Sequence, residues 1–151
     1  MNYYVLNSIE FGPQIIKRIY RQIESSKYDQ KPQGDRFTLR EAIAHLVDWE
    51  PIFRGRMESI LREPGCTILG QDASERALQN RYWEQDTEAN LSRFVEERAI
   101  TAQLIRSLGT EDWSKLGKRE GYGAMTVEDF ANLLVCHDMY HIEQASEYLL
   151  E

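Results

Sequence analysis

An all-α fold, a four-helix bundle with long crossover connections, is what this sequence predicts, and three observations predict it. Four segments carry apolar residues at steps of three and four. Two of them open on a Ser/Thr-x-x-acid capping pattern. Polar loops with Gly and Pro separate the segments, and no tract shows β-alternation of convincing length. The 151 residues fit one domain spanning 1–151, with a substantial core and an antiparallel type of bundle.

In the first helix Phe11, Ile15, Ile16, Ile19 and Ile23 form the expected core stripe. Pro13 lacks a backbone N–H, so the regular helix starts near it or a short preceding turn is kinked there. Residues 25–37 are polar, contain Pro32 and Gly34, and form a loop. Thr38-Leu39-Arg40-Glu41 is a capping box, so the second helix runs from there to about Leu61. Its inward stripe is Ala42, His45, Trp49, Ile52 and Arg56, and Pro51 should bend it.

Residues 62–85 are too long for a hairpin between neighbouring helices and suggest a crossover, with one helical turn near residues 74–78. The third helix spans about 86 to 107, with Leu91, Phe94, Val95, Ala102 and Ile105 inward and Gly109 as its stop. A loop containing Gly117, Gly121 and Gly123 follows. Thr126 and Asp129 then cap the fourth helix, and Met125 and Phe130 hold the positions of a hydrophobic staple. Its inward stripe is Phe130, Leu134, His137, His141, Ala145 and Tyr148.

Composition narrows the function classes. A net charge of −7 and a pI near 5.1 argue against a nucleic-acid partner, whose phosphates require Lys and Arg. No apolar run approaches a membrane span and the N-terminus lacks signal-peptide order, so the expectation is a cytoplasmic protein without a membrane partner. Cys66 and Cys136 match no zinc-knuckle spacing and are expected to be small buried hydrophobes. Tyr82, Trp83 and Trp113 are expected at the surface, covering the bundle ends or building a homodimer contact.

The three histidines carry the chemistry. His137 and His141 are four apart, about 40° of azimuth and roughly 6 Å of rise on a helix, so both can reach one cation. His45 faces inward from a separately capped helix. A buried imidazole needs partners for both ring nitrogens; three of them can be packed and hydrogen-bonded only, or can form a metal site. The full complement on core stripes favours a divalent transition ion, typically zinc or nickel, on His45, His137 and His141, with positions left open for water or substrate. His-x-x-x-His is weak by itself, and Asp138 after the first histidine departs from the zinc-protease pattern. Asp48 and Gln144 are candidates to orient the imidazoles, whereas Cys136, about 100° around from His137, points elsewhere. No residue is assigned as nucleophile or general base.

Residues 44–51 (Ala-His-Leu-Val-Asp-Trp-Glu-Pro) and 137–144 (His-Asp-Met-Tyr-His-Ile-Glu-Gln), with the helix number and the long middle connector, resemble the DinB-like superfamily of bacterial four-helix-bundle proteins. That resemblance covers essentially the whole chain. It implies a divalent metal on His45, His137 and His141, frequent homodimerisation, and a small-molecule substrate. Members with known chemistry use the metal to activate a low-molecular-weight thiol cosubstrate, such as bacillithiol or mycothiol, for attack on an electrophile. The expected function is therefore a metal-dependent thiol S-transferase or a hydrolase-like enzyme acting in detoxification or stress response. The rival is a non-catalytic bundle that binds metal for sensing or partner binding.

Overall fold

The computed structural model describes residues 2–32 and 34–149. Helices dominate: α1 (Tyr3–Tyr20), α2 (Leu39–Arg62), α3 (Ala73–Gln79), α4 (Thr87–Arg106) and α5 (Val127–Ser146). Four are the long bundle helices expected, with α4 and α5 as the third and fourth; α3 adds two turns where one was expected.

Both predicted capping boxes form. Thr38 Oγ1 accepts from the Glu41 N–H at 3.2 Å while the Glu41 carboxylate accepts from the Thr38 N–H at 2.8 Å, and Thr126 and Asp129 repeat the exchange at 3.1 and 2.8 Å. Each box satisfies two N–H groups that the first helical turn leaves without partners, and so sets where the histidine-bearing helices begin.

The bundle is not simply antiparallel. α1 packs against α4 and α5, and α2 against the same two, so the consecutive α1 and α2 occupy opposite corners. Contacts of Arg40 with Thr87, Glu50 with Arg98 and Arg54 with Thr101 make α2 and α4 parallel. Phe37 meets Gln144 and His45 meets His137, so α2 and α5 run antiparallel. The reason is the connector 63–86, which travels the length of the bundle before α4 begins, as its length suggested.

The glycine-containing loop expected after α4 is instead a hairpin. β2 (Leu116–Arg119) pairs antiparallel with β3 (Gly123–Thr126), and β1 (Thr67–Ile68), from the crossover, joins β2 in parallel. Strands of two to four residues are too short to display a period of two, which is why they left no legible pattern. Gly121 and Gly123 take positive φ at the turn (+76° and +87°), and a Cβ on Gly117 would lie 2.9 Å from Ile60 Cγ1.

The core has two main parts. Ile16, Tyr20, Leu39, Ile43, Leu91 and Phe94 pack at the end where α2 and α4 begin; Ile9, Phe53, Met57, Ile105, Phe130 and Leu134 pack at the other. α1 starts ten residues before Pro13, which lies buried within it, and its inward stripe is Ile9, Gly12, Pro13, Ile16 and Tyr20. Phe11 and Ile15, expected inside, are exposed. A run of isoleucines three and four apart fits two adjoining faces of a helix equally well, and packing selected the face that contains Gly12. α2 continues as one element through Pro51, whose ring is exposed. Tyr82 is fully buried rather than on the surface, Trp113 is half-buried against the core part that holds Phe53 and Phe130, and Trp83 alone of the three is exposed. Cys66 is half-buried and Cys136 exposed, so neither is the buried filler expected.

Candidate metal centre

α2 and α5 bring the three histidines together. One potential ligand atom from each of His45, His137 and His141 lies within 4.8 Å of the others, close enough for one ion to touch all three. His45 and His141 are buried, at 6% and 5% exposure, and His137 is half-buried. His45 Nε2 is 2.8 Å from His137 Nε2. Two ring nitrogens at that distance share either one N–H or one cation.

Burial is the main cause that lowers each imidazole pKa from the ordinary 6.5, because the charged form loses water. It takes His45 to about 2, with the neighbouring histidines adding repulsion. His137 falls to about 3, with His141 and Arg98 as further causes, and His141 to about 4, where the bond to Gln144 works in the opposite direction and Arg36 in the same one. All three rings are therefore neutral at neutral pH and keep lone pairs, as a cation site requires.

Gln144 does what its spacing suggested. Its Nε2 donates to the Phe37 carbonyl at 2.5 Å, which turns Oε1 toward His141 Nδ1 at 3.2 Å. With Nδ1–H as donor, the His141 lone pair sits on Nε2, on the side of the other rings. His45 is held by packing instead, with ring centroids of Phe37 at 5.2 Å, Trp49 at 5.3 Å and Tyr82 at 6.3 Å. Asp48 does not orient an imidazole. It accepts two bonds from Arg76 at 2.7 Å and one from Tyr82 Oη at 2.5 Å, which pins α3 and the turn after it onto α2 beside His45.

The histidines open into a cavity of about 250 Å³ whose other walls are Asp35, Arg36 and Phe37 of the loop before α2, Ala73 and Ser74 of α3, and Tyr140 and Gln144 of α5. Arg36 is fixed there by Glu143 and Glu147 (2.7 and 2.9 Å) and stacks 5.2 Å from the Tyr140 ring. Among the described lining residues Asp35 is the one carboxylate. Asp35, Arg36 and Phe37 come from a loop with no periodicity, so no sequence signal marked them.

Behind His137 lies a buried ionic network that the apolar-stripe reading passed over. Arg98 donates to Glu50 at 2.7 and 3.0 Å, to Asp138 at 2.7 and 2.8 Å, and to the Ile9 carbonyl at 2.8 Å. All three charged residues are 2% exposed. Burial opposes the Arg98 charge, but the two carboxylates outweigh it and raise its pKa; burial raises that of Asp138. Asp138 thus points away from the imidazoles and locks α5, α4, α2 and α1 together immediately beside a candidate ligand. The signal was available: Leu91, Phe94, Arg98, Thr101 and Ile105 share one stripe, and an arginine there must be paired.

Among the described residues no helix is long and apolar enough to cross a membrane. A solved structure of YfiT from Bacillus subtilis, described as a probable metal-dependent hydrolase with an unusual four-helix bundle topology, matches with a TM-score of 0.88 at 20% identity over 98% of this chain and 87% of that one. At that identity the likeness shows the fold. No protein of curated function is similar enough in sequence to count as a relative. The family model of the DinB superfamily matches residues 10–145, which reach all four bundle helices and include all three histidines, and the chain belongs to the DinB superfamily.

Proposed function

We propose that this protein is a divalent-metal-dependent enzyme that delivers a low-molecular-weight thiol, or water, to a small electrophile, with His45, His137 and His141 holding the metal. The observation that carries the reading is the convergence of three neutral imidazoles at the floor of a cavity. The description of YfiT as a probable metal-dependent hydrolase supports the same class of chemistry. Zinc and nickel suit three imidazole nitrogens. When bound, such an ion acts as a Lewis acid and lowers the pKa of the nucleophile.

The chain's own residues bind and orient. Gln144 keeps the His141 lone pair on Nε2, and Phe37, Trp49 and Phe53 surround the rings with apolar surface that excludes bulk water. Asp48 and Asp138 are consumed by arginines, so neither accepts a proton from the nucleophile. In the thiol reaction a C–S bond forms at the electrophilic carbon, the leaving group departs with the electron pair of the broken bond, and the thiol proton passes to solvent. Compounds of that kind arise in detoxification and stress responses.

Metal analysis of untagged protein, followed by a screen of several thiols against model electrophiles, tests the reading. Near-stoichiometric metal lost in His45→Ala and His141→Ala, with thiol-dependent turnover, is expected. Metal that does not respond to those substitutions ends the metal assignment, and a silent screen with metal bound favours a binding module.

A further inference from the structure

Arg56 is 5% exposed, yet neither of its terminal nitrogens has a hydrogen-bond partner, and no described carboxylate lies within ion-pair distance. Arginine cannot shed its proton in a protein, so the charge persists, and an unpaired buried charge is a large cost. Its guanidinium lies 5.5 Å from the Trp49 ring and 5.7 Å from the Phe53 ring, contacts that recover only part of the lost hydration.

A second arginine sits nearby. Arg119, at the end of β2, stacks 3.9 Å from the Tyr122 ring, and its buried Nε also lacks a partner. Burial, then the nearness of the Arg119 charge, both work against the Arg56 charge. Trp49 Nε1 is a further buried donor without an acceptor. The carboxylate next in sequence, Glu120, is turned instead to the Gly70 N–H at 3.0 Å. Arg56 lines a cleft of about 290 Å³ between the second half of α2 and residues 67–71, where Gly55, Ser59 and Thr67 also line the walls and no atom lies within 4 Å of a Cβ placed on Gly55. Every unsatisfied group in this region is a donor and two are cations; what is missing is an anionic acceptor.

We propose that Arg56, with the charge of Arg119 nearby, binds the oxyanion group of a small molecule, a carboxylate or a phosphate, at the cleft between α2 and β1. Planar guanidinium forks match both groups in bidentate geometry. The site is separate from the histidine cluster: Trp49 and Phe53 stand between, each with one ring on Arg56 and near a histidine (Trp49–His45 5.3 Å, Phe53–His137 5.5 Å). The proposal does not depend on the metal assignment.

The test is calorimetric titration of the full chain, dialysed against EDTA so that no bound cation can take the anion, with inorganic phosphate and in parallel with succinate, at constant ionic strength in chloride. Saturable one-site binding of one or both is expected, and the stronger of the two identifies the oxyanion. Arg56→Met should weaken it by about tenfold or more, as loss of a charge-assisted contact does. The anion-free Arg56→Met protein should also melt no lower than wild type, because the unpaired charge is gone, while losing the rise in Tm that phosphate gives wild type. Should Arg56→Met fail to fold, Arg119→Gln, at a half-buried strand end, should weaken binding with helix content intact. No saturable binding by wild type, or undiminished binding in the folded variant, overturns the proposal.

Discussion

Replacing Arg98 with Met removes the one cation between two buried carboxylates. Five hydrogen bonds of 2.7 to 3.0 Å disappear together, and Glu50, Asp138 and the Ile9 carbonyl stay behind without water. Breaking a buried ion pair from one side costs about 3–5 kcal/mol, most of it from the charge left uncompensated. Against a total stability of about 5–15 kcal/mol, the variant should fold but be marginal. At about 2–4 °C per kcal/mol for a domain of this size, Tm should fall by about 10 °C.

The pH dependence identifies the cause. Burial already raises the Asp138 pKa, and without the opposing Arg98 charge the variant's Asp138 carboxyl titrates further above its unfolded value. A raised folded pKa gives stability that is present below the unfolded pKa, about 4, and lost as pH rises through the folded one. The gap to wild type should therefore narrow as pH is lowered from 7 toward 4.5; the His45 and His141 contributions cancel between the two proteins, and His137, relieved of the Arg98 charge, shifts the gap in the same direction. Urea unfolding followed by far-UV circular dichroism at several pH values measures this. A loss below about 1 kcal/mol, or a gap that widens on acidification, would refute the account of the network as an obligatory buried triad.

Three further outcomes are expected. Metal-free wild type should lose stability as pH falls below 6.5, since His45, His137 and His141 have folded pKa values near 2, 3 and 4 and stay neutral while the unfolded chain takes up protons; up to about 4 kcal/mol should go between pH 7 and 5.5, read from urea midpoints in EDTA. Gln144→Leu should weaken metal affinity about 10- to 100-fold in competition with a chromophoric chelator, because His141 Nδ1 loses its acceptor, and an unchanged affinity would show that Gln144 only braces Phe37. Gly12→Ala would gain about 1 kcal/mol of helix propensity at an ordinary site, but here the new Cβ would sit 2.1 Å from Asp138 Oδ2; overpacking of about 1–3 kcal/mol should win and lower Tm in a thermal scan.

The polar groups in the core divide by what holds them. Arg98 is answered by two carboxylates, and Asp48 by Arg76 and Tyr82, so these groups lock helices in place. Other groups are not fully answered: His45 Nδ1 and both Arg56 Nη atoms are orphaned. A chain that satisfies a buried Arg–Glu–Asp triad so fully has no general tolerance for unpaired groups, and its orphans therefore point to ligands.

Four long helices, their starts at Thr38 and Thr126 and the inward placement of His45, His137 and His141 were all legible in the sequence by itself, because helix periodicity and capping boxes are local: the residues that make them lie within a turn or two of one another. The same locality explains what was not legible. Which face of α1 turns inward, the parallel course of α2 and α4, the pairing of β1 with a hairpin some fifty residues later, and the burial of Tyr82 on Asp48 depend on partners far away in the chain. The candidate metal centre divides along this line. Its three histidines were visible as a pattern, but their meeting within 4.8 Å, the turn of Gln144 toward His141, and the release of Asp48 and Asp138 to arginines were decided only when the helices packed, since each requires two elements to fix one side chain.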